Sequence, residues 1–166
     1  MKISVLVVMG VSGSGKTTVA AMLAGRLGWE FADADDFHSP ANVAKMHAGH
    51  PLTDDDRRPW LASIAGWIDA VRDGHGGGVV TCSALRRSYR VQLTEGRPDV
   101  RIVYLDGNPA LIAERQAGRH HHYMPASLMA SQFATLERPG VEENPIVVDV
   151  SPPPAVILDA IIRGMA

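Results

Sequence analysis

Cysteine is almost absent. Cys82 is the only one, so no internal disulfide can form, and its place in an apolar run points to a buried, inert thiol. An excess of one charge is missing too: 16 Lys and Arg stand against 18 Asp and Glu, a formal net charge of −2. That balance argues against a nucleic-acid binder that works by neutralising phosphates. No apolar run approaches the length needed to span a bilayer, so no membrane association is expected. Met1-Lys2 leads straight into an apolar strand, so no signal peptide is expected and the expected location is the cytoplasm. Internal repeats and low-complexity segments are lacking. What is present is 166 residues, 46% hydrophobic and 20% charged, an ordinary composition for one globular domain, residues 1–166, with room for a core but not for a second full domain.

The stretch ISVLVVMGVSGSGKTT, residues 3–18, organises the chain. An apolar β-branched run ends in Gly10, Val11, Ser12, Gly13, Ser14, Gly15, Lys16 and Thr17, and a small-residue helix follows. The glycines let the backbone curl its N–H groups around an anion, and the helix adds its positive N-terminal end at the same point. Lys16 is placed to reach the β- and γ-phosphates, Thr17 to ligate Mg²⁺, and Thr18 to begin packing the helix. Residues 10–18 therefore read as the cradle of a nucleoside triphosphate.

The helix is expected over 16–27, ending near Gly28. A short strand, 30–32, then delivers Asp33, Asp35 and Asp36 to the C-terminal edge of the sheet, where ligands of open α/β sheets sit. Three carboxylates beside a triphosphate would repel it unless a metal or a hydroxyl intervened. Alternation along an extended segment points Asp33 and Asp35 toward the loop and Asp36 away. Asp33 is accordingly assigned a water-mediated Mg²⁺ role and Asp35 the acceptor hydroxyl; the competing reading is a solvated acidic turn that caps the next helix. That helix is expected over 39–48, with Asn42, Lys45 and Met46 near one another and His38 at its mouth.

Thr53 with Asp56 has the spacing of a capping box, and a long amphipathic helix follows through Trp60, Leu61, Ile64, Trp67, Ile68 and Val71. Its tryptophans are most simply core. Arg57 and Arg58 fall in its first turn, where the helix dipole disfavours cations, so each needs an anion. Asp54, Asp55 and Asp56 could supply it locally; a bound carboxylate could supply it from outside.

A buried strand is expected over 79–82, and it ends in Ser83-Ala84-Leu85-Arg86-Arg87. No acidic residue closes it, so the second metal-binding carboxylate common in phosphate-loop proteins is missing here, which favours Asp33. A strand over 101–105 and a helix opened by Pro109 lead to QAGRHHHYMP, residues 116–125, a polar, cationic stretch that reads as a mobile lid. Such a lid would exclude water from a phosphoryl transfer, and Arg119 could stabilise the charge being transferred. His120, His121 and His122 point in different directions and have no carboxylate or cysteine beside them, which argues against zinc. A helix over 125–136, a strand over 146–150, the stiff Pro152-Pro153-Pro154 connection and a helix over 155–162 complete the chain. Alternating apolar strands and helices predict an α/β fold with a parallel sheet covered on both faces.

With these blocks in view, MGVSGSGKTT, DADDFH followed by NVAKM, PLTDDDRRPWL, CSALRRSYR, and RHHHY followed by SQFATLERP, the chain resembles the small P-loop gluconokinases over nearly its whole length. The resemblance implies a three-layer P-loop fold of the nucleoside-monophosphate-kinase type, with five parallel strands in the order 2-3-1-4-5, a lid, and a homodimer. It implies ATP-dependent phosphorylation of the 6-hydroxyl of D-gluconate. Asp35 would orient or deprotonate that hydroxyl, Arg57 would bind the carboxylate, and Ser83 with Arg87 would line the acceptor pocket, where His38 and Lys45 also fall. Arg115, with the loop around Pro152 to Pro154, would hold the base. The lid departs from the pattern, with His120 and His121 where better-known bacterial sequences carry Lys and Gly. Shikimate kinases are similar in the phosphate loop but glycine-rich where this chain has Ser83-Ala84-Leu85. Two alternatives stay open: a kinase for another small acceptor, and a nucleotide-binding regulator that has lost catalysis, against which the intact set Lys16, Thr17, Asp33 and Asp35 stands.

Overall fold

Apolar strands alternating with amphipathic helices require a sheet buried on both faces. A computed structural model, which describes residues 2–117 and 126–166, has that arrangement. Strands β1 (Val5–Met9), β2 (Glu30–Asp33), β3 (Gly78–Thr81), β4 (Val100–Asp106) and β5 (Ile146–Asp149) form one five-stranded parallel sheet in the order β2-β3-β1-β4-β5. The helices among the described residues are α1 (Lys16–Leu27), α2 (Pro40–His47), α3 (Asp54–Asp73), α4 (Arg87–Thr94), α5 (Pro109–Ala117), α6 (Ala126–Thr135) and α7 (Pro154–Met165).

β1 is central, and all five of its residues are buried. Side chains alternate across a strand, so β1 feeds two cores. Val5, Val7 and Met9 pack with Trp60, Leu61, Ile64 and Ile68 of α3 and Leu93 of α4. Leu6 and Val8 pack on the other face with Val19 and Leu23 of α1 and with Ile157, Leu158 and Ile161 of α7. A third, smaller cluster of Val11, Leu85, Ile112 and Met129 joins the loop after β1 to α5 and α6. β1 has β3 on one side and β4 on the other, so the chain crosses to opposite sides of it and opens a crevice at its C-terminal end. α1 stops at Gly28, whose left-handed backbone (φ 69°) lets its N–H reach back to the carbonyls of Ala24 and Gly25.

Several boundaries differ from the sequence expectation, each for a local reason. The extended segment carrying the aspartates ends at Asp33, and 34–37 form a 3₁₀ turn, because the Asp33 side chain accepts the Asp35 N–H at 2.9 Å. Strict alternation therefore does not place Asp35. Ser39 lies outside α2 as its N-cap, its hydroxyl accepting the Asn42 N–H. α7 begins inside the proline run, because Pro154 occupies a first-turn position where no N–H is needed. Cys82 is buried, as expected, and burial pushes its thiol up to about 12. Of the expected lid, Gln116 and Ala117 belong to α5, while Arg119 and His120, His121 and His122 lie outside the described residues.

The loop after β3 is held by an arginine. Ala84 has a left-handed backbone (φ 44°), which is unfavourable for a residue with a Cβ. Arg90, only 1% exposed, donates from Nη1 to the carbonyls of Ala84 at 2.9 Å and Leu85 at 3.3 Å. Its other face makes two bonds to the Glu143 carboxylate, at 2.7 and 3.2 Å, and Glu143 in turn accepts the Gly140 N–H. Removing one partner of such a pair leaves an uncompensated buried charge, so Arg90→Ala is expected to cost about 3–5 kcal/mol. Arg87→Ala, on the exposed pair with Glu142, is expected to cost under about 1 kcal/mol. Urea unfolding of the two variants checks this, and equal losses would contradict it.

Candidate active site

The phosphate loop leaves the buried end of β1 and turns directly into α1. Gly13 (φ 86°) and Gly15 (φ 95°) both take left-handed backbone, which only glycine adopts without strain. A Cβ at Gly13 would meet the Gln116 carboxamide. Ser14 is buried, and among the described residues its hydroxyl has no hydrogen-bond partner. Lys16 folds over the loop, its Nζ donating to the carbonyls of Gly10 at 3.0 Å and Val11 at 3.1 Å.

The first turn of α1 meets the end of β2 through Thr17. Its hydroxyl donates to Asp33 Oδ2 at 3.2 Å, which leaves a hydroxyl and a carboxylate side by side at the mouth of the loop. Among the described residues no cluster of three or more His, Cys, Asp or Glu could hold a metal. The Thr17 and Asp33 oxygens suit a small hard cation held largely by phosphates and water.

The turn after Asp33 is fixed from two sides: the Ala34 N–H donates to Thr81 Oγ1 at 3.3 Å, and the Ala34 carbonyl accepts from Trp60 Nε1 at 2.7 Å. Asp35 projects from this turn. Partial burial raises its pKa, the Asp33 charge adds to the rise, and His38 and Lys16 oppose it. The ring of His38 stacks on Trp60 with centroids 4.3 Å apart. Burial lowers its pKa, Asp35 pulls the other way, and Arg57 lowers it further. Lys16, Asp33, Asp35, His38 and Arg57 thus form one electrostatic neighbourhood, although they come from α1, β2, the turn after it and α3. Trp60 is core, as expected, and is also the floor on which His38 lies.

The cationic residues have separate fates. Arg58 pairs with Asp55 at 2.5 Å, the local answer to its place in a helix N-terminus. Arg57 is 3.9 Å from Asp54; its Nη1 donates to the Leu52 carbonyl at 2.8 Å and to the Tyr89 hydroxyl at 3.2 Å. Its guanidinium lies 5.4 Å from the centre of the Tyr89 ring, and Tyr89 donates to Asp54 at 2.6 Å. Lys45 pairs with Asp56 at 2.8 Å, a contact that holds the Asp56 carboxyl down at about 2. Asp56 also closes the Thr53 capping box, so Lys45 braces α2 against the start of α3. Asn42, buried, donates to the Asp56 carbonyl at 2.9 Å.

Ser83 is half-buried where β3 ends at the crevice. The Arg87 guanidinium is engaged by Glu142, on a flank of α4 shared with Val91 and Thr94. The reason is that Arg87 starts a helix, while Glu142 lies beside that helix in the chain's later 3₁₀ turn. Arg115 donates to the Ser151 carbonyl at 3.4 Å, next to the proline run. Sequence reasoning passed over Gln116 and Gln132, both of which touch the phosphate loop; Gln132 Oε1 accepts the Ser12 N–H at 2.6 Å. A polar side chain at helical spacing among the apolar Ile112, Met129 and Phe133 was the available signal.

Comparison with known proteins identifies relatives of the whole chain. A family model described as an AAA domain matches residues 5–139. The gluconokinase of Gluconobacter oxydans (strain 621H) is 53% identical over 159 residues, spanning 95% of this chain and 89% of that protein. The thermoresistant gluconokinase of Escherichia coli (strain K12) is 39% identical over 150 residues, spanning 90% and 86% respectively. The crystal structure of a gluconokinase from Sinorhizobium meliloti 1021 superposes with a TM-score of 0.89 at 42% identity, covering 99% of this chain and 93% of that one. Likeness of this degree along almost the whole of each protein is a family relation, and the chain belongs to the gluconokinase family.

Proposed function

We propose that this protein transfers the γ-phosphoryl group of ATP to the 6-hydroxyl of D-gluconate. One observation carries the reading: Lys16 and the Thr17–Asp33 pair at the phosphate loop share a crevice with Asp35, His38 and Arg57. In this reading the anion-binding groups of the loop and the hydroxyl-activating Asp35 act on one bound acceptor. The family relation supplies the acceptor class. A cytoplasmic homodimer belongs to the same reading, with the family resemblance as its support; among the described residues no helix is long and apolar enough to cross a membrane.

In this scheme the loop amides and Lys16 bind and neutralise the phosphates. Thr17 would hold Mg²⁺ directly and Asp33 through water. When bound, that ion screens the charge on the transferring group. Asp35 aligns the acceptor hydroxyl and receives its proton, with His38 beside it. Arg57, braced by Tyr89 and Leu52, offers a planar guanidinium to the gluconate carboxylate. Arg119 would add charge from the lid, and Arg115 with the following loop would hold the base. Because phosphoryl transfer passes through a loose transition state, positioning and charge neutralisation outweigh proton removal.

An ADP-release assay with MgATP and D-gluconate, shikimate, AMP or no acceptor tests the proposal; turnover with gluconate alone is expected. Turnover with another acceptor, or none in protein shown to bind ATP, would refute it. Lys16→Ala should lower kcat/KM by at least about 10³-fold, since it removes charge stabilisation present chiefly in the transition state.

Asp35→Asn separates activity from stability. The raised pKa means that ionising Asp35 opposes folding: the penalty is absent below the unfolded carboxyl value of about 3.9 and fully present above the folded value. The variant should therefore melt at or above the wild-type temperature at pH 7, with no difference in strong acid, while kcat falls by about 10²-fold or more. The acid limb of the wild-type rate profile should be displaced upward from that of a free carboxyl group and vanish in the variant. Arg57→Lys should raise the gluconate KM about tenfold or more and leave that of ATP within twofold, because a point charge cannot reproduce the fork. An unchanged gluconate KM would remove Arg57 from the site.

A further inference from the structure

The peptide unit between Val11 and Ser12 is held at both ends. Its carbonyl accepts Lys16 Nζ at 3.1 Å and the Ser14 N–H at 3.2 Å. Its N–H donates to Gln132 Oε1 at 2.6 Å. The side chain of Val11 is itself buried with Ile112 of α5 and Met129 of α6, and Phe133 and Leu136 pack against the cluster. One residue further on, the Gln116 carboxamide fills the space over Gly13. Gln116 is only 4% exposed, and among the described residues its Oε1 has no hydrogen-bond partner. The first turn of the phosphate loop is thus docked on α5 and α6 by an apolar cluster and two carboxamides.

From this geometry we infer that Gln132 is a positioning residue for phosphoryl transfer, acting through the Val11–Ser12 peptide to set the place of Lys16 and the loop amides. A peptide plane has one rotational degree of freedom that exchanges the directions of its N–H and C=O. An acceptor for the N–H on one side holds the oxygen that receives Lys16 on the other, together with the Ser14 N–H. Gln132 supplies that acceptor from 120 residues away in the chain. The paired helices α5 and α6 are therefore part of the ATP phosphate site without touching phosphate. Loss of the acceptor should weaken nucleotide more than gluconate, because the peptide belongs to the loop and not to the crevice that holds Arg57.

The inference rests on the phosphoryl-transfer reading for its kinetic arm, while an amide-exchange arm stands without it. Gln132→Leu keeps approximate volume but removes the acceptor, Gln132→Asn keeps an acceptor that falls a methylene short, and Gln132→Glu keeps it in place. By hydrogen exchange, the Ser12 amide of the wild-type protein should be protected. It should exchange about tenfold faster or more in the Leu and Asn variants and be protected again in the Glu variant. The Leu and Asn variants should raise the Kd and KM of ATP about tenfold, with the gluconate KM within twofold and melting temperatures close to wild type. Unchanged Ser12 exchange in both variants, failure of Glu to restore protection, or a parallel rise of both KM values with a lowered melting temperature would overturn it. If the wild-type protein does not phosphorylate gluconate, the functional reading fails on its own, and Ser12 exchange together with the calorimetric Kd of ATP still decides this inference.

Discussion

The structure depends on one constraint: a loop whose backbone N–H groups must stay available to an anion has to begin at the end of a strand that contributes nothing polar. β1 meets it by being buried along its whole length and paired on both sides. The loop then turns through left-handed glycines straight into α1. Placing β1 at the centre puts β3 and β4 on either side of the loop. Their C-terminal ends, and that of β2, lie at the same edge of the sheet as the loop. The two cores on opposite faces follow from the same strand, since alternate residues of β1 must each find an apolar partner.

Around that loop the molecule arranges charges that would otherwise repel. Asp33 and Asp35 both lie near a site for a polyanion, and the structure treats them differently. Asp33 is tied down by Thr17 and by the Asp35 N–H. Asp35 is left in a partly buried position where ionisation is disfavoured, with Lys16 and His38 as partial compensation. In the proposed reaction the first carboxylate takes a fixed electrostatic role, and the second exchanges a proton. Strain and disfavoured charge collect at this edge and are supported from outside it, by the Trp60 contact to Ala34 and by the buried Arg90 that holds the Ala84 turn.

The arginines show how weakly residue type alone fixes a role. Arg57 and Arg58 are neighbours in one helical turn, yet one is absorbed by a local aspartate while the other is presented beside Tyr89. Arg87 and Arg90 lie on one short helix, yet one is exposed with Glu142 and the other is the most buried charge among the described residues. For Arg57, Arg87 and Arg90 the deciding partner comes from a distant part of the chain.

The sequence by itself determined the phosphate cradle, the parallel α/β sheet with its order of strands, the capping box at Thr53 and the burial of Cys82. These rest on short-range rules of glycine at fixed offsets, hydrophobic period and N-cap spacing, or on blocks of residues that resemble a family. Tertiary structure alone decided that Lys45 braces a helix cap, that Glu142 takes Arg87, and that Gln132 and Gln116 reach the loop. The physical reason is the same throughout: a hydrogen bond or ion pair across a large sequence separation has no periodicity to betray it. It forms only once packing has placed the two elements side by side and removed competing water.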